Sequence, residues 1–252
     1  LKSVPDVPLT SQWESVFKGV EHATGQTSLP RIQKVNALRI DLTDPNISLV
    51  TTASNGSYLG DTNRQTAREF MTEYGVQAAI NGNFYYTGSD INWNAYLIGL
   101  AVSQGQTVSP LEDLTFERNC SLLITEDNVA HFQHTDKSFD LTEVWTAIES
   151  WPLFLVDGVN YGDPSSDSVH PRTAVGLSDD GRYLILMTID GRQPGYSEGA
   201  TFQETAEWLL RFGANQGLNF DGGGSTHMWI SDNNNGAYPL NSPSENRAVG
   251  NH

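Results

Sequence analysis

Three acids stand where an apolar run stops or a helical pattern begins. In YLILMTIDGRQPGYSEG a nearly all-apolar run delivers Asp190 to a loop carrying Gly191, Gly195 and Gly199, with Arg192 two positions further on. In GLNFDGGGSTHM a shorter run delivers Asp221 to Gly222, Gly223, Gly224 and Ser225. Between them, TFQETAEWLLRFGA sets Glu204 three residues after Thr201. Two carboxylates around an electrophilic sugar carbon can divide the work of glycoside hydrolysis, one attacking or stabilising the carbon and the other handling a proton. Arg192 beside Asp190 fits an ion pair or a clamp for an anionic group. The glycines let the backbone approach a ligand or another segment unobstructed, and their N–H groups suit an anion. Each feature also has a plainer reading: a turn aspartate, a capping-box glutamate, and a glycine bulge at a sheet bend.

Further candidates are the amides of NGNFYY, Asn81 and Asn83, and Arg172 in HPRT. Amides and acids beside Tyr85, Tyr86, Trp93 and Tyr96 suit sugar recognition, because apolar sugar faces stack on rings while hydroxyls need paired donors and acceptors; the same rings could be core. No lysine follows the glycines, so they are not a Walker A loop, and no G-x-S-x-G surrounds Ser225.

The elements that must position these residues follow from periodicity. SQWESVFKGVEHATG carries Trp13, Val16, Phe17 and Val20 at helical spacing and predicts an N-terminal helical extension within residues 1–30. RIQKVNALRIDL and ISLVTTA read as strands, and DTNRQTAREFMTEYG as a helix capped at Asp61 or Thr62 and stopped by Gly75. TAVGLSDDGRYLILMTIDG predicts a hairpin with a buried second strand, and Thr201 with Glu204 predicts a capping box on the best helix in the chain. The expected fold is a single α+β domain over residues 1–252, with a mixed, largely antiparallel sheet core and packed helices.

Composition narrows the function. The 252 residues carry a net charge of −16, which argues against nucleic acid and against anionic membrane surfaces. From Ser138 onward the cations are five arginines against fifteen acids, and Arg172, Arg192 and Arg247 sit in unusual local sequences. No apolar run reaches the length of about 18 residues that a membrane helix needs, so no membrane insertion is expected. The single cysteine, Cys120, excludes an internal disulfide framework and reads as core filling. No cofactor is required by this reading; an acidic chain leaves room for a structural divalent cation such as calcium, though no D-x-D-x-D-G loop marks one.

The pieces NGNFY at 81–85, PRTAVGL at 171–177, IDGRQPGYSEGAT at 189–201, Glu204 with Ala206, LNFDGGGST at 218–226 and RAVGN at 247–251 resemble the phosphodiester glycosidases in order and spacing across roughly 170 residues. Phe220, His227 and Trp229 depart from the usual pattern around the glycine motif. The resemblance implies hydrolysis of the bond between a sugar's anomeric carbon and a phosphodiester oxygen, on an N-acetylglucosamine 1-phosphodiester or a related polysaccharide linkage. It implies that Arg172, Arg192 and Arg247 bind the phosphodiester, that Asp221 with Asp190 or Glu204 forms the carboxylate pair, and that Asn81 and Asn251 hold sugar hydroxyls. It also implies a secreted or periplasmic protein whose leader has been removed. Two other classes stay open: a non-catalytic carbohydrate-binding or surface-polymer scaffold, and a glycosidase acting on non-phosphorylated glycosides. A phosphodiesterase cutting the other P–O bond usually needs two metals on His and Asp clusters, and no such cluster stands in the sequence.

Overall fold

The computed structural model describes residues 6–56, 59–87, 94–114, 119–165, 168–232 and 236–245. Strands take 40% and helices 9%, with two α-helices among the described residues, so the fold is mostly β and the α+β expectation is corrected.

The N-terminal helical extension is corrected with it. Its described residues form short strands at Leu9–Thr10 and Glu14–Phe17, followed by β1 (Val20–Thr27). Trp13, Val16, Phe17 and Val20 fit a helical stripe, but Gly19 at φ 74° turns the chain into a hairpin. Beyond the turn burial alternates, with Ala23, Gly25 and Thr27 inward and Thr24 outward. β1 then pairs with β2 (Gln33–Asp41) from Val20 opposite Ile40 to Thr27 opposite Gln33, and this cross-strand packing outweighs local helical spacing.

Helix α1 (Ala67–Tyr74) starts later than expected. Thr66 rather than Asp61 or Thr62 caps it, completing a capping box with Glu69, and Gly75 at φ 65° stops it as expected. After α1 come β3 (Ala78–Ile80), β4 (Cys120–Ile124), β5 (Thr146–Ser150) and β6 (Leu153–Val156). The expected hairpin is present as β7 (Arg172–Leu177) and β8 (Tyr183–Ile189), then α2 (Phe202–Arg211), β9 (Gln216–Asn219) and β10 (Met228–Ser231).

The central sheet runs in the order β1, β2, β8, β7, β9, β6, and its pairs are antiparallel throughout. Helix α2 covers one face, burying Ala206, Trp208 and Leu209 against Ala37, Ala174, Ile185 and Met187. A second, five-stranded antiparallel sheet containing β4 and β5 covers the other, bringing Cys120, Leu122 and Ile124 onto Ile40, Val175, Leu184 and Leu218. With both faces covered, every residue of β7 is buried. Cys120 is buried in this contact, its thiol pushed up to about 12 by burial and by Glu149.

Antiparallel register fixes the geometry of the site. Arg172 opposes Ile189 and Ala174 opposes Asn219, so the start of β7 lies beside the ends of β8 and β9. Arg172, Asp190 and Asp221 therefore meet at one end of the sheet. A small third sheet pairs β10 with β3, Met228 opposite Ile80, and brings Asn81 to the same place.

Candidate active site

Asp190 leaves β8 at 1% exposure. One carboxylate oxygen, Oδ1, accepts the Ser242 N–H at 2.8 Å and Asn241 Nδ2 at 3.1 Å; Oδ2 accepts the Tyr196 hydroxyl at 3.3 Å. Burial pushes the carboxyl up to about 6, while the three donors pull the other way. The same Tyr196 phenol is raised by its own burial and by the Asp190 charge. Asp190 thus latches the segment after the strand Ala237–Pro239 onto the glycine loop that follows β8.

Asp221 is half-buried. Its backbone is held from the NGNFYY side: Asp221 N–H donates to the Gly82 carbonyl at 3.0 Å, and Asn81 Nδ2 donates to the Asp221 carbonyl at 2.6 Å. Asn81 Oδ1 accepts the Thr173 hydroxyl at 2.8 Å and the His227 N–H at 3.1 Å, so this buried amide ties three segments together. Asn83 Nδ2 donates to the carbonyls of Leu100 and Glu149 at 3.2 and 3.1 Å. Both amides of the NGNFYY stretch are engaged with the protein.

Each glycine after Asp221 meets a different neighbour. A Cβ on Gly222 would lie 2.8 Å from the Pro171 carbonyl oxygen, one on Gly223 2.9 Å from Arg192 Nη2, and one on Gly224 2.5 Å from the Glu245 carboxyl carbon. Gly223 also has φ +64°, a region L residues rarely adopt. The Gly222 N–H donates to Asp221 Oδ1 at 2.8 Å and the Gly223 N–H to the Pro171 carbonyl at 2.9 Å. Gly223–Ser225 then forms a single 3₁₀ turn. The three glycines press this turn against β7, Arg192 and Glu245.

The arginines lie on the same side. Arg172 is buried, with Nε donating to the Ala200 carbonyl at 2.9 Å, Nη2 to the Ser168 carbonyl at 2.6 Å, and the guanidinium 4.0 Å from the Phe202 ring centroid. Burial, with Arg192 nearby, pushes it down to about 10 against the pull of Glu204, so it remains cationic at neutral pH. No carboxylate among the described residues forms a salt bridge with it. Arg192, at φ 58°, sets Nη2 3.5 Å from His170 Nδ1 and Nη1 3.7 Å from Glu245. Burial and the two arginines hold His170 below the usual histidine range.

Glu204 has a full set of partners. It closes the capping box with Thr201, pairs with Arg31, and accepts Gln33 Nε2 at 3.0 Å. Gln33 in turn accepts Trp208 Nε1 at 2.7 Å, locking α2 onto β2. Arg247, Asn251 and Trp93 lie outside the described residues. Sequence reasoning passed over Arg31, Gln33, Tyr196, Asn241, Ser242 and Glu245. Tyr196 lay inside the glycine loop after Asp190, and Asn241, Ser242 and Glu245 inside the polar stretch SDNNNGAYPLNSPSEN; nothing local marked Arg31 or Gln33.

A cavity of about 300 Å³ is lined by Val20, Ile40, Leu122, Ile148 and Leu186 and shares Asn81, Gly82 and Asn83 with this cluster. Among the described residues no group of three or more His, Cys, Asp or Glu side chains is arranged to hold a metal ion.

Residues 74–252, nearly three quarters of the chain, match the phosphodiester glycosidase family model. The chain belongs to the phosphodiester glycosidase family. Its fold is shared with the zebrafish N-acetylglucosamine-1-phosphodiester alpha-N-acetylglucosaminidase catalytic domain, auto-inhibited by its pro-peptide, at TM-score 0.68 and 16% identity, covering 97% of this chain and 86% of that one. A Burkholderia pseudomallei K96243 protein named for its inferred export matches at TM-score 0.61 and 15% identity over 87% and 73%. A hypothetical protein from Synechocystis matches at 0.59 and 14% over 88% and 60%. No curated protein matches the sequence. In this member of the family the stretches NGNFY, PRTAVGL, IDGRQPGYSEGAT and LNFDGGGST converge at one sheet end.

Proposed function

We propose that this chain hydrolyses glycosyl phosphodiesters by breaking the bond between the anomeric carbon and the phosphodiester oxygen, giving free sugar and a phosphomonoester. The observation that carries the reading is that half-buried Asp221 opens a glycine turn packed against the Arg192 guanidinium, at the sheet end where β7 starts with Arg172, in a chain of net charge −16 that otherwise repels anions. The arginines neutralise the phosphodiester. Asp221 stabilises or attacks the anomeric carbon as it gains oxocarbenium character, and water completes the hydrolysis. A phosphate leaving group departs without a strong general acid. In this scheme Asp190 and Glu204, whose oxygens are occupied by protein donors, position the loop that carries Arg192 and the start of α2, next to which the Ala200 carbonyl holds Arg172.

N-acetylglucosamine 1-phosphodiester is the first substrate to test, because the zebrafish relative is named for it. The exported name of the Burkholderia relative supports a secreted or periplasmic setting. Phosphorus NMR on that diester, with sugar analysis, is expected to give a phosphomonoester and free sugar, with the rate of Asp221→Asn reduced roughly a thousandfold. Binding of glycosyl phosphodiesters and simple glycosides with no turnover of any would overturn the reading in favour of a scaffold.

A further inference from the structure

The segment after Ala237–Pro239 is stitched to the site residue by residue. Leu240 N–H donates to the Met228 carbonyl at 2.8 Å, Gln193 Nε2 donates to the Ser242 carbonyl at 2.7 Å, and the Ser242 hydroxyl donates to Gln193 Oε1 at 3.0 Å. With the Ser242 N–H on Asp190, these anchors carry Glu245 onto the glycine turn. Its carboxylate stands over Gly224, where a Cβ would come within 2.5–2.8 Å of the carboxyl atoms, and 3.7 Å from Arg192 Nη1. Arg192 thus stands between a carboxylate and a neutral-leaning His170, with Nη2 2.9 Å from where a Cβ on Gly223 would lie.

The Arg192–Glu245 pair is long and its side chains are 45% and 37% exposed. A pair of that kind contributes little and yields readily to a better partner. Phosphate oxygens, which can engage a guanidinium in two parallel hydrogen bonds, are a better partner. Glu245 displaced from Arg192 stays tethered within a few residues of it, so its charge continues to act on whatever anion replaces it.

We propose that Glu245 is a specificity-determining residue of this site, a tethered carboxylate that cedes Arg192 to a phosphodiester monoanion and disfavours the phosphomonoester dianion left after cleavage. The inference rests on the glycosidase reading and supplies a reason for product release. Coulombic repulsion scales with ligand charge, so the penalty in free energy is about twice as large for the dianion as for the monoanion.

Two non-glycosyl probes separate this from catalysis: dimethyl phosphate, a monoanion, and methyl phosphate at about pH 8, a dianion well above its second pKa of about 6. Calorimetric titration of each into wild type, Glu245→Gln, Glu245→Lys and Arg192→Ala reads the effect directly. Glu245→Gln is expected to tighten dimethyl phosphate roughly threefold and methyl phosphate roughly tenfold, with Glu245→Lys extending the trend and Arg192→Ala weakening both. Methyl phosphate affinity that is equal or weaker in Glu245→Gln, or absent in both proteins, overturns the proposal. Turnover of a glycosyl phosphodiester by wild type decides the underlying reading separately. Turnover with no effect of Glu245 removes only the specificity role, and a Glu245 effect without turnover removes only the glycosidase reading.

Discussion

Asn241 and Asp190 stand 51 positions apart and meet through a 3.1 Å hydrogen bond, Nδ2 donating to Oδ1. The same buried amide donates to the Thr226 carbonyl at 3.0 Å and accepts the Met228 N–H at 2.8 Å. One side chain therefore joins the loop after β8, the glycine turn and β10. Asn241→Ala strands buried polar groups on all three and is expected to cost about 3 kcal/mol in urea unfolding, with kcat falling as the turn loosens. A loss under about 0.5 kcal/mol, the usual size for surface changes, would remove Asn241 as a joint.

The pH dependence of stability carries a signature of Asp190. Its carboxyl ionises near 3.8 in the unfolded chain and near 6 in the folded one. Across that interval the folded state holds the extra proton, so stability falls as pH rises from 3.8 to 6 and stays at the lower level above. The full difference is about 3 kcal/mol. Asp190→Asn lacks this term, so the wild-type advantage over the variant is expected to shrink across that window in denaturant titrations. An advantage that grows with pH there would contradict the assignment.

Glu204 separates a positioning role from a catalytic one. Glu204→Gln keeps part of the cap but leaves Arg31 without its carboxylate, at an expected cost of about 1–3 kcal/mol in thermal or urea unfolding. Turnover at temperatures where the variant is folded is expected to stay within about tenfold of wild type, short of the upper range for loss of an acid–base group. Loss of roughly a thousandfold with stability unchanged would make Glu204 a catalytic carboxylate instead.

Gly223 is the most demanding position of the turn. Gly223→Ala forces a side chain into φ +64° and a Cβ to 2.9 Å from Arg192 Nη2. The expected outcome is about 1–2 kcal/mol of destabilisation and a raised KM for anionic substrates, because the guanidinium must move. An unchanged KM would detach Arg192 from substrate binding.

What the sequence disclosed was local. The β7–β8 hairpin and the Thr201–Glu204 capping box were legible because turn chemistry and capping act over a few residues. The N-terminal strands were not, because Trp13 to Val20 satisfy a helical stripe and only pairing with β2 decides against it. Asp190 and Asp221 stood out at the ends of apolar runs, Arg192 two positions past Asp190 and Arg172 within HPRT, and register then placed Arg172 beside the ends of β8 and β9 that deliver the two acids. Their supports were illegible: Arg31 lies 173 positions from Glu204, and Asn81 lies 140 from Asp221. Asn81 drew attention as a sugar ligand, whereas its hydrogen bonds make it a strut of the Asp221 turn.

The bond that breaks is the core of the proposed chemistry, and water labelled with heavy oxygen reports it. Hydrolysis of an N-acetylglucosamine 1-phosphodiester in such water, followed by mass spectrometry of the sugar and phosphorus NMR of the ester, locates the incorporated atom. Attack at the anomeric carbon, with Asp221 beside it and the arginines on the departing phosphate, puts the label on the free sugar and leaves the phosphomonoester unlabelled. Label in the phosphomonoester would mean that phosphorus is attacked, and the assignment of Asp221 to the anomeric centre would fall with it.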